Sequence, residues 1–166
     1  MRAETVHAAL LVVIVAGLGL SAFAAYETYY PAAQGFCSVS KYISCSAVDE
    51  SGHTYTLGVP DWLIGVGGFV ALLVLDIPLY RSWRRDLLQG VVAVSGIGLV
   101  VAVYLGYVEL AVIHALCPVC FSTYLMDGVV FLLSLWLLLS GRGADAKDED
   151  DPPKPDSSVP GASPTP

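Results

Sequence analysis

Cys117-Pro118-Val119-Cys120-Phe121-Ser122-Thr123-Tyr124-Leu125-Met126-Asp127-Gly128 opens an apolar run that continues to Leu139. Backbone amides and carbonyls find no water to bond in lipid, so a run of this length reads as a membrane-crossing helix rather than a strand. Pro118 suits its first turn, where the missing N–H would have been without a helical partner. Cys117, Cys120, Tyr124 and Asp127 are separated by three, four and three residues, which sets them along one helical face. Two thiols therefore stand at the mouth of the helix, with a phenol and then a carboxyl group deeper in. An acid at that depth is a functional candidate, because an ionised carboxylate is costly in hydrocarbon. The plainer alternatives are a protonated Asp127 bonded to a neighbouring helix, and a Tyr124 that only packs.

Three more apolar runs precede this one: Val6 to Ala25, Trp62 to Tyr80 and Leu87 to Ile113. Each approaches or exceeds the roughly 20 residues that carry a helix across about 30 Å of hydrocarbon. A composition 55% apolar and 14% charged over 166 residues fits a small integral membrane protein, as does a mean hydropathy of +0.67. The fold expected is an all-α bundle of four transmembrane helices in one domain, residues 1–140, with helices near 6–25, 62–80, 87–113 and 117–139 and an outer loop over 26–61. The first run has a rival reading as a signal peptide: Arg2 precedes it, and Ser21-Ala22-Phe23-Ala24-Ala25 offers small residues for cleavage. The length of the run favours a retained helix.

Arg81, Arg84 and Arg85 crowd the short link between the second and third runs, and positive loops stay cytoplasmic. Loop 26–61 and the connection around Ile113 to Leu116 then face outward, and both termini lie inside. Cys37, Cys45, Cys117 and Cys120 all fall on the outer side, where disulfides form and persist. The net charge of −7 comes mostly from Asp145, Asp148, Glu149, Asp150, Asp151 and Asp156. These sit in a Pro-, Ser- and Gly-rich segment, 141–166, which reads as a disordered, solvated cytoplasmic tail. Nothing in the chain is basic enough to bind nucleic acid.

The cysteines admit three readings. Structural stapling would pin the loop through Cys37 and Cys45 and leave the second pair incidental. A metal site is disfavoured, since seven residues between Cys37 and Cys45 match zinc spacings poorly. Redox exchange fits best: the free N–H groups of a first helical turn favour the thiolate that attacks a disulfide. His114, one turn before Cys117, either adds to that effect or is simply solvated.

The outer loop adds the pattern Cys-x5-Ser-x6-Gly at Cys45, Ser51 and Gly58. With the loop cysteines first and Cys-x-x-Cys opening the last helix, residues from about Ala8 to Leu139 resemble the vitamin K epoxide reductase family, including its bacterial and archaeal quinone-coupled homologues. DsbB-type oxidases carry the two pairs in the opposite order. The resemblance implies a four-helix bundle around a quinone, capped by the outer loop and its short helix. It implies that Cys37 takes electrons from a separate thioredoxin-like, DsbA-like dithiol protein, that Cys45 exchanges with Cys117, and that Cys120 faces the quinone. Ser51 and Tyr124 match positions that line the head-group pocket. Asp127 stands where animal members have Asn, and Asp61 replaces the Asn that holds the quinone at the start of the second helix. An ionised Asp accepts hydrogen bonds but cannot donate one, and Asp61 also suits a helix cap.

The function expected is a monomeric membrane thiol oxidase that passes electrons from a partner dithiol through the two cysteine pairs to a ubiquinone- or menaquinone-type acceptor. It would support disulfide formation in exported proteins. The alternatives are a vitamin K epoxide or quinone reductase using the same cysteines, and a non-enzymatic membrane scaffold with two static disulfides.

Overall fold

The computed structural model describes residues 3–38, 40–51, 55–56, 58–81 and 84–140, so the acidic segment from 141 onward lies outside the described residues. In chain order the elements are α1 (Ala3–Tyr29), a 3₁₀ turn (Pro31–Phe36), α2 (Cys45–Asp49), the short strands β1 (Tyr55–Thr56) and β2 (Val59–Pro60), α3 (Asp61–Arg81), α4 (Arg85–Tyr107), a π-helical continuation (Val108–Ile113) and α5 (Pro118–Leu139). Four of the helices are long and apolar enough to cross a membrane, as the sequence led us to expect.

α1 and α4 each pack against both α3 and α5, which closes the four helices into a bundle. Leu10, Ile14, Phe69, Leu72, Val91 and Val130 form its central core, and Val6, Leu79, Leu88 and Leu137 a second cluster. That second cluster lies where α1 and α4 begin and α3 and α5 end. The outward faces are as apolar as the core: Ile97, Val100, Val103 and Leu132 are all at least 65% exposed. Water would not tolerate such a surface, whereas lipid solvates it, and helices in lipid cohere through close packing and internal polar bonds instead. Ser95 and Ser134, both fully buried, donate to their own helices at Val91 O (2.7 Å) and Phe131 O (3.0 Å). His7 and Asp76 form a buried pair between α1 and α3, with Nε2 and Oδ2 3.6 Å apart.

Two boundaries differ from expectation for physical reasons. α1 runs past Ala25 to Tyr29 because Glu27, which ends the apolar run, is buried beneath the loop rather than exposed to solvent. The third helix does not reach Ile113 as an α-helix; its last six residues widen into a π-helix. The chain then turns through His114, whose φ of 58° is left-handed, and Ala115 N donates to Glu109 O at 3.2 Å to close the turn. Gly58 makes the tight turn between β1 and β2 with φ +82°, a conformation that suits glycine.

Candidate active site

Cys37 and Cys45 are joined as a disulfide, and Cys117 and Cys120 are free thiols. Backbone structure brings these distant segments together. Ile43 and Leu116 form a parallel bridge in which Ser44 N donates to Leu116 O (3.2 Å) and Leu116 N donates to Tyr42 O (2.9 Å). Ser44 caps α2 by accepting from Ala47 N at 3.1 Å, so Cys45 is the first residue of that helix. Cys117 is the N-cap of α5, with Pro118 just inside the start, and its sulfur accepts from Cys120 N at 3.2 Å. The result is a 3.3 Å approach between Cys45 Sγ and Cys117 Sγ across 72 residues of sequence. Ala115 and Val48 pack around the cluster, which is buried. Glu27 Oε1 approaches Cys37 Sγ at 3.1 Å. Glu27, Cys37 and Cys45 have the residue types of a metal site, but the two sulfurs are bonded to each other and offer no thiolate.

Glu109, on the π-helical turn, is the residue that sequence reasoning missed. It is 5% exposed, and both carboxyl oxygens are used: Oε2 accepts from Cys117 N at 3.0 Å and Oε1 from the Tyr124 hydroxyl at 2.9 Å. The same side chain therefore fixes the start of α5 and the phenol one turn below Cys120. An acid inside the third apolar run was the available signal, by the reasoning already applied to Asp127.

Below the sulfurs lies a cavity of about 320 Å³ bounded by all four long helices and by the cap. Cys117, Cys120, Tyr124, Asp127, Asp61 and Glu109 all line it. Cys120 thus stands between its partner sulfur and a lipid-level chamber. The vitamin K epoxide reductase family matches this chain over residues 8–135. The chain belongs to that family. Membership makes it an oxidoreductase and a multi-pass membrane protein, in a family associated with quinones and thiol–disulfide exchange.

The cavity of this vitamin K epoxide reductase relative suits a quinone head group on two observations. Ser21 Oγ and Asp127 Oδ2 line it, are buried, and have no hydrogen-bond partner among the described residues. Two glycines make room for them: a Cβ on Gly98 would lie 2.7 Å from Asp127 Oδ2, and one on Gly65 2.8 Å from Ser21 Oγ. A mostly apolar chamber with two orphaned polar atoms has room and partners for a flat, mostly apolar molecule carrying polar oxygens. Ser21, placed earlier within a possible cleavage site, was not foreseen in this role. Of the residues expected at the pocket, Asp61, Tyr124 and Asp127 line it, with Asp61 at the first turn of α3. Ser51 does not; its hydroxyl donates to Val48 O at 2.7 Å at the end of α2. His114 is exposed, with Nδ1 3.2 Å from Val112 O.

Proposed function

We propose that this protein is a membrane thiol oxidase that moves electrons from a protein dithiol of the thioredoxin-like class, through Cys37 and Cys45 to Cys117 and Cys120, and on to a quinone. The observation that carries this reading is the 3.3 Å contact of Cys45 Sγ with Cys117 Sγ. It joins one end of a disulfide to one end of a dithiol, as exchange through a mixed disulfide requires. In the inward direction, Cys45 as thiolate attacks Cys117 of a closed Cys117–Cys120 bond and releases Cys120. Cys37 then attacks Cys45 and releases Cys117. The product of those two steps is the covalent state of the structure: an outer disulfide and an inner dithiol.

A quinone bound in the cavity supplies a two-electron, two-proton sink. Quinone oxygens only accept hydrogen bonds, so Ser21 and a protonated Asp127 would hold them. The Tyr124 proton points to Glu109, so towards the cavity the phenol offers its remaining acceptor capacity in this state. Cys37 is buried, and attack on it by a partner requires local opening of the cap around it. The positive-inside pattern of Arg81, Arg84 and Arg85 supports a cysteine end that faces away from the cytoplasm.

The test is quinone reduction by a dithiol in purified protein with Cys120→Ala. Turnover at the wild-type rate would remove the assignment; the expected result is its abolition. Cys37→Ala should slow a protein donor far more than a small dithiol, and equal losses with both donors would argue against a shuttle role.

A further inference from the structure

Glu27 plays no part in the relay just described, yet its Oε1 lies 3.1 Å from Cys37 Sγ and its side chain is 4% exposed. It stands near the end of α1, in the wall of the same cavity that Cys120 and Asp127 line. A sulfur bonded to Cys45 carries no proton, so a hydrogen bond across that gap has to be donated by the carboxyl group. An ionised carboxylate there would instead face sulfur lone pairs in a buried site. Asp49 of α2, whose Oδ1 lies 3.5 Å from Thr28 Oγ1, lines the same cavity. The group placed closest to Cys37 is thus suited to take up or hand over its proton.

We propose that Glu27 is a catalytic acid and base for Cys37. The inference rests on the exchange reading above. As the Cys37 sulfur attacks Cys45, its thiol proton passes to the Glu27 carboxylate, the Cys37–Cys45 bond forms, the Cys45–Cys117 bond breaks, and Cys117 departs as thiolate with the electron pair. In the opposite direction Cys117 thiolate attacks Cys45, the electron pair goes to Cys37, and Glu27 returns the proton to that leaving sulfur. The carboxyl oxygen beside a closed disulfide is the arrangement left after the first of these transfers. Because Glu27 also borders the cavity, the proton it takes from the outer thiol is held beside the chamber where protons are needed.

Infrared difference spectroscopy of the purified full chain, disulfide state minus dithiol state, tests this without any quinone. The expected spectrum contains a protonated-carboxyl band in the disulfide state that is replaced by a carboxylate band on reduction. Glu27→Gln removes that pair of bands. No redox-linked carboxyl band in the wild type, or the same band retained in Glu27→Gln, overturns the proposal. A second measurement is the single-turnover rate of Cys37–Cys45 closure in folded Glu27→Gln, followed by mass shift after alkylation. Loss of a positioned acid–base group should slow it on the order of 100-fold at neutral pH; an unchanged rate also overturns the proposal. The Cys120→Ala quinone assay is independent of both readouts, so a failure of the electron route and a failure of Glu27 give different results.

Discussion

At the scale of single residues, the contacts of Glu109 carry the sharpest expectations. Replacing it with Ala leaves the Cys117 amide and the Tyr124 hydroxyl unpaired in a buried site, at about 1–3 kcal/mol for each orphaned group. We expect Glu109→Ala to lower quinone turnover at least tenfold and to loosen Cys117, seen as faster alkylation of that thiol in the reduced protein. Glu109→Gln keeps one carbonyl acceptor and should fall between the two. Gly98→Ala acts from the same span as Glu109, beside Asp127. Its methyl group would meet Asp127 Oδ2, so the carboxyl group must move. The expected outcome is a raised KM for quinone with little change in thiol exchange, measured with the same dithiol donor. The stripe of Cys117, Cys120, Tyr124 and Asp127 was legible because period and chemistry coincide on one helix. Glu109 was not, because its value comes from the fold: an acid near the end of an apolar run looks like a boundary until Tyr124, 15 residues on, is seen to donate to it.

At the scale of elements, the register of the cap decides whether the two cysteine pairs meet. Two backbone bonds at the Ile43–Leu116 bridge hold the loop to the start of α5. Leu116→Pro removes one of them, since proline has no N–H to give Tyr42 O. In a background of Cys37→Ser and Cys120→Ser, Cys45 and Cys117 should trap each other as a disulfide. Adding Leu116→Pro should cut that yield severalfold on non-reducing gels, and an undiminished yield would show the bridge to be dispensable. The start of α5 was readable from Cys117 and Pro118. The π-helical turn was not, because hydrophobic periodicity marks a helix without fixing its pitch, and six residues of wider turn look the same in sequence as six of α-helix.

For the whole molecule, the four spans and the family followed from run length and cysteine order, whereas the closed ring of helices required side-chain packing that no single run displays. The arginine link between α3 and α4 and the cysteine cap sit at opposite ends of the bundle. Orientation is checked in a variant with all four cysteines replaced by Ser. A membrane-impermeant maleimide should label Tyr30→Cys in intact cells and leave Ser140→Cys unlabelled until the membrane is opened. The reverse pattern would invert the proposed topology. The span that carries Glu109 has a further consequence. Arg85–Ile113 is 29 residues long, and its 23 α-helical residues alone, at about 1.5 Å each, make about 35 Å of helix against about 30 Å of hydrocarbon. Either the helix leans or its π-helical end rises among the lipid head groups. In both cases the depth of the sulfurs is set by bilayer thickness. Reconstitution into lipids of increasing acyl length should therefore pass through an optimum in turnover, with thick bilayers drawing the thiols away from water and thin ones exposing the chamber to it.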